Sequence, residues 1–201
     1  MPPKTNHQSR SQQTHDRLLD AAEKLLSEHP WNTISVQRLA QAAGFTTGAL
    51  YGRFGGKREV LPLLVDRLRL RTQSSLEALE DAAARLSGPE VLDLLMLHLC
   101  TLYRQGGHLL RSLREAAQND EPLRQDLADL NLEVRNRLVA LLATAYGFDE
   151  NDPRTDVALL LLLLPVREML VDHLWPFPET AVESALAEVR RAVGLYLETP
   201  P

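Results

Sequence analysis

The sequence predicts an all-α protein, and three observations predict it. Leu, Ala, Glu and Arg are abundant while aromatic residues make up only 5% of the 201-residue chain, and the abundant types are strong helix formers. Apolar residues recur three and four positions apart along most of the length, the period that lines one face of a helix. No stretch of Val, Ile and Thr alternates with polar residues in the manner of a half-buried strand.

The opening MPPKTNHQSRSQQTHD is polar and has no apolar core, so residues 1–12 are expected to form a disordered arm and not a secretion signal. A first helix is expected from near Thr14, with Leu18, Ala22 and Leu25 on one face and Leu19 and Leu26 beside them. Pro30 ends it. Ser35 then stands as an N-cap ahead of Val36, Leu39, Ala40 and Ala43, which share a helical face. Gly44 can take the left-handed conformation that closes such a helix. Thr46, a second capping residue, opens a short helix that places Leu50 and Phe54 four apart on its inner side. Three helices over 14–54, the last two joined by a tight glycine turn, make the pattern of a helix-turn-helix, and the domain is set at residues 13–58.

Past Gly55 and Gly56 a long helix is expected from Lys57 to Arg85, with Pro62 near enough to its start to be tolerated. SerGlyPro at 87–89 breaks it. Further helices are expected at 90–104, 107–117, 122–145, 154–174 and 179–197, divided by GlyGly, AspGluPro, GlyPheAspGluAsnAspPro and ProPhePro. Residues 59–201 thus read as a helical bundle. Its most apolar run, VALLLLLLPVREML at 157–170, meets Arg167 and Glu168 and is too short to span a bilayer. A buried helix of a soluble, cytoplasmic protein with no membrane partner is expected. Cys100, the one cysteine, lies in an apolar run, allows no intrachain disulfide and fits a reducing compartment.

Net charge is −5, but residues 1–72 carry +5 and the remainder −10. Such asymmetry suits a chain in which one part meets a polyanion. With Leu50 and Phe54 turned inward, Gly48, Ala49, Tyr51 and Gly52 face outward, with Thr47 and Arg53 at the margins. Small residues there let the backbone approach a partner. Thr46 and Thr47 offer hydroxyls, Tyr51 a phenol and Arg53 a guanidinium, and Lys57 is placed at the start of the next helix, whose positive end attracts phosphate. Together they suit the phosphate clamp that holds a recognition helix in a major groove of double-stranded DNA.

The run HDRLLDAAEKLLSEHPWNTISVQRLAQAAGFTTGALYGRFGGKREVL resembles the DNA-binding domain of the tetracycline-repressor (TetR) family of transcriptional regulators. The matching features are LeuLeuAspAlaAla at 18–22, SerVal at 35–36, LeuAla at 39–40, AlaGly at 43–44, GlyAlaLeuTyr at 48–51, Phe54 and Lys57. The resemblance covers about the first third of the chain. It implies that Ser35 caps the second helix near a phosphate, that Thr46 and Thr47 open the recognition helix, and that Tyr51 and Lys57 bind phosphates. Gly52 and Arg53 depart from residues common in the family, which shifts base contacts toward Thr47, Ala49 and Arg53.

One helix-turn-helix touches too little DNA for tight binding, so a homodimer on a palindromic operator is expected. The family resemblance implies the same, with 154–174 and 179–197 forming a four-helix interface. It also implies a small-molecule effector held in the bundle at 59–201, whose binding releases a repressor. Candidate lining residues are His98, Tyr103, His108, Met169, His173 and Trp175, polar or polarisable groups inside aliphatic helices. No His, Cys, Asp or Glu set has metal-ligand spacing, and the GlyGly pairs lack the flanking pattern of a nucleotide site, so no metal or cofactor is expected. A helix-turn-helix-like module that binds another protein is the alternative. A helical enzyme is the lesser one, since no catalytic constellation is visible.

Overall fold

The computed structural model describes residues 5–149, 151–174 and 177–199, with side chains from residue 12 onward. Eight α-helices follow in order among them: α1 (Thr5–Glu28), α2 (Val36–Ala42), α3 (Thr47–Phe54), α4 (Val60–Ala83), α5 (Gly88–Ala117), α6 (Glu121–Tyr146), α7 (Pro153–Arg167) and α8 (Glu179–Glu198). A 3-10 turn, Trp31–Thr33, precedes α2, and a π-helical turn, Glu168–Asp172, follows α7. No strand occurs among the described residues.

The chain divides into two compact units, residues 1–69 with 108–127 and residues 70–107 with 128–201. This is not the division at residue 58 read from the sequence. Pro and Gly mark where helices stop, but which helix ends pack together is a long-range property that local breakers do not encode.

In the first unit, Leu18, Ala22, Leu39, Leu50, Leu64 and Leu113 are fully buried in one cluster. Arg67 of α4 pairs with Asp20 of α1 at 2.6 Å, and Arg58 pairs with Asp120 at 2.8 Å. Helix α1 opens at Thr5, ahead of the expected start near Thr14, so residues 5–12 of the expected arm continue the helix. Nothing between Thr5 and Glu28 is Pro or Gly, and a polar run without breakers can extend a helix nucleated by the apolar face behind it. Helix α4 starts at Val60, three residues after Lys57, with Pro62 in its first turn, where a missing N–H costs no helical bond.

The second unit has its own core, in which Leu92, Leu95, Leu138, Leu142, Ala158, Leu162 and Val166 are buried to the limit. Cys100 is buried beside Met96, and burial raises its thiol pKa. Where a break was expected at Gly106 and Gly107, α5 runs through without interruption. Two interior glycines weaken a helix by about 1 kcal/mol each relative to Ala, which the burial of Leu95, Leu99, Leu109 and Leu113 on the same helix outweighs. Gly107 also has a packing reason, because a Cβ there would lie 2.7 Å from Val171 Cγ2. Pro165 stands inside α7 and removes one helical donor. The helix then widens, His173 N–H donating to the Glu168 carbonyl five residues back at 2.9 Å, and closes on His173 at φ +52°.

Candidate nucleic-acid interface

Local hydrogen bonds set α2 and α3. Ser35 Oγ accepts from Arg38 N–H at 3.0 Å, and Thr46 Oγ1 accepts from Ala49 N–H at 3.1 Å. Each satisfies one of the donors that a helix N-terminus leaves open. Between them Gly44, at φ +72°, makes the turn, and Phe45 N–H returns to the Ala40 carbonyl at 2.8 Å. Arg17 of α1 donates to the Ala43 carbonyl at 2.9 Å and lies 5.3 Å over the Phe45 ring, so one guanidinium ties α1 to the turn. Gly55, at φ +76°, ends α3, its N–H donating to the Tyr51 carbonyl at 3.0 Å.

With both ends fixed, α3 has one inward and one outward side. Leu50 is fully buried, and Phe54 is half-buried with its ring 6.4 Å from Phe45 and 6.2 Å from His15. Thr46, Thr47, Gly48, Ala49, Tyr51, Gly52 and Arg53 are exposed, and Tyr51 keeps half of its surface open. The phenol is steered outward because its ring passes Gly56, where a Cβ would sit 3.3 Å from Tyr51 Cε1.

Lys57 differs from expectation. It lies in the turn before α4 and not in its first turn, so the helix dipole does not begin there. Its ammonium donates to the Trp31 carbonyl and rests 4.4 Å from the Trp31 ring centroid, and burial lowers its pKa. An ammonium has three donors. One braces the α1–α2 connection and the others stay open to a further partner.

The residues expected to line an effector pocket are scattered. His98 and Tyr103 are half-buried in the second unit, with Ser75 Oγ 3.5 Å from His98 Nε2 and burial holding the imidazole below its ordinary pKa. Met169 is buried. It lines an apolar pocket of about 450 Å³ with Pro165, Glu168, Leu174 and Phe177. His108 is exposed and falls in the first unit, His173 is exposed at the end of the π-helical turn, and Trp175 lies outside the described residues. A second pocket of about 620 Å³ is formed by α4, α5 and α6, lined by Ala83, Ala84, Val91 and Ala140 among others. At its edge Arg137 holds Glu80 through two hydrogen bonds of 2.7 and 2.5 Å, which lowers the Glu80 pKa. Of the five described candidates only Met169 lines either pocket. The lining of the α4–α6 pocket joins alanines with Glu80, Asn136, Arg137 and Thr144 from separate helices, a grouping that no local pattern announces. Among the described residues no His, Cys, Asp and Glu group could hold a metal ion. No helix among them is long and apolar enough to cross a membrane.

A capped second helix presented outward from a short first one is the helix-turn-helix of transcription regulators. Residues 18–63 match the model of the family described as bacterial regulatory proteins, tetR family. Solved structures extend the likeness to nearly the whole fold. A TetR-family transcriptional regulator from Mesorhizobium loti superposes with TM-score 0.73 at 16% identity, over 94% of this chain and 95% of that one. The fatty acid degradation regulator FadR from Bacillus halodurans gives TM-score 0.66 at 20% identity, over 92% and 95%. FadR from Bacillus subtilis, solved in complex with stearoyl-CoA, gives 0.64 at 18%, over 92% and 98%. No curated protein matches the chain.

Proposed function

We propose that the protein is a homodimeric transcription regulator, a repressor that binds a palindromic operator through α3 and is released by a small-molecule effector held in the second unit. The observation that carries this reading is the outward face of α3, capped by Thr46 and Gly55 inside the segment that matches the tetR family. Ser35, Thr46, Tyr51 and Lys57 supply phosphate contacts, and Thr47, Ala49 and Arg53 meet base edges. Dimerisation is supported by α7, where Val157, Leu160, Leu161 and Leu164 lie on one stripe and stay 39 to 55% exposed, joined by Leu195 of α8 at 55%. A partner's α7 and α8 would cover them.

Effector control is supported by the two pockets of the second unit and by the likeness to a regulator solved with stearoyl-CoA. The reading places the protein in the cytoplasm with the chromosome and gives it no catalytic role. The test is capture of genomic DNA fragments by the purified protein, followed by titration of the enriched duplex against salt. An inverted repeat, bound with affinity that falls steeply as salt rises, is expected, since each phosphate contact releases counterions. Absence of an enriched repeat, or binding indifferent to salt, would favour a protein-interaction module instead.

A further inference from the structure

Helix α3, of sequence TGALYGRF, contains two glycines four residues apart and therefore on one side. Glycine is the weakest helix former after proline, so each needs a reason. The other glycines of this unit have one. Gly44, Gly55 and Gly56 hold positive φ angles. Gly48 and Gly52 do not, and a Cβ built on either meets no atom within 4 Å. Nothing inside the protein keeps a side chain off these two positions, so the constraint comes from a surface that α3 meets.

That surface is a duplex if α3 is the DNA-contacting helix, a reading on which this inference rests. A face thinned at Gly48 and Gly52 brings the α3 backbone closer to the groove floor, where short side chains can reach base edges. The short side chains are Thr47 and Ala49, both exposed, and each ends in a methyl group. The Thr46 hydroxyl is already engaged by Ala49 N–H. No Asn, Gln, Asp, Glu or Lys occurs in α3, so the usual bidentate readers of adenine and the carboxylate readers of cytosine are missing, and its long hydrogen-bonding side chains are Arg53 and Tyr51, the latter assigned to phosphate. The base edge recognised by a methyl group is the C5-methyl of thymine.

We propose that α3 reads each operator half-site chiefly through thymine C5-methyl groups packed against Thr47 and Ala49, at a distance that Gly48 and Gly52 permit. The test uses the full-length protein. A duplex is selected from a randomised library, then remade with deoxyuridine in place of thymidine at one position at a time, which deletes only the C5-methyl. Affinity should fall about fourfold for each contacted methyl, the value of one buried CH₂, at one or two positions per half-site. Thr47→Ser, which keeps the hydroxyl and loses the methyl, should bind the thymine duplex about fourfold more weakly and be indifferent to uracil at its own position. Gly52→Ala should raise Tm by about 2–4 °C while weakening operator binding about tenfold or more. Indifference to uracil at every position, or a Gly52→Ala variant that binds as tightly as the parent, overturns the inference. Failure of any duplex to enrich overturns the operator reading itself and this inference with it, and the two failures are thereby told apart.

Discussion

Lys57 joins two tasks in one side chain. Its ammonium holds the Trp31 carbonyl and ring, and its remaining donors face a phosphate in the proposed complex. Lys57→Ala should therefore cost about 1 kcal/mol of stability from the lost hydrogen bond, shift Trp31 emission, and lower the salt slope of operator binding by about one with little change in base preference. Denaturant titration followed by fluorescence, and binding isotherms at several salt concentrations, check both halves. Tyr51→Phe, whose ring stays over Gly56, should weaken binding without moving stability. Caps such as Ser35 and Thr46 were legible because capping is a contact over three residues. The Lys57–Trp31 contact spans twenty-six residues, and no local pattern announces it. His98 contributes a pH dependence of its own, above the range in which the carboxylates titrate. Burial keeps its imidazole below the ordinary value, so the unfolded chain takes up the proton first as pH falls. Stability is full above the unfolded pKa of about 6.5 and declines below it toward the folded value. Thermal melts at stepped pH should show this decline, and His98→Gln should flatten it.

At the scale of elements, the neighbouring glycines of α5 make opposite predictions from one sequence signal. A Cβ at Gly106 meets nothing within 4 Å, so Gly106→Ala should stabilise the protein by up to about 1 kcal/mol. A Cβ at Gly107 would strike Val171 Cγ2 at 2.7 Å, and Gly107→Ala should destabilise it by about 1–3 kcal/mol. Equilibrium unfolding of the two variants side by side is sufficient. If both stabilise, Val171 does not constrain position 107 to glycine. The pair also shows why a helix break was expected where none exists. GlyGly reports backbone freedom, while the apolar stripe from Val91 to Leu113, which runs on either side of it, decides the outcome. At Pro165 the uninterrupted helix expected over 154–174 overlooked a breaker, since the donor that the proline removes lies just before the turn that widens. The length of α3 and its N-cap at Thr46 followed from sequence for the complementary reason. A helix of eight residues is governed by its ends.

For the whole molecule, the run LLLLLL at 159–164 held two messages that sequence could not separate. Leu159 and Leu162 are buried with Ala158 and Val166 in the core of the second unit, whereas Leu160, Leu161 and Leu164 point to solvent in the single chain. An all-apolar helix needs cover on every side, and only the packed structure shows which side its own chain leaves uncovered. If that side is the seam between two copies, placing a charge there should separate them without unfolding either, because Leu160 and Leu164 are half-exposed and stand outside the buried core of one chain. Leu160→Arg with Leu164→Arg is expected to leave helical circular dichroism unchanged and to halve the mass seen by sedimentation equilibrium. Each monomer would then meet a single half-site, and operator affinity should drop by about two orders of magnitude or more, as the second half-site no longer binds as part of the same particle. Restored tight binding on raising protein concentration would tie the loss to dimerisation. A double variant that still sediments as a dimer would place the interface on another face.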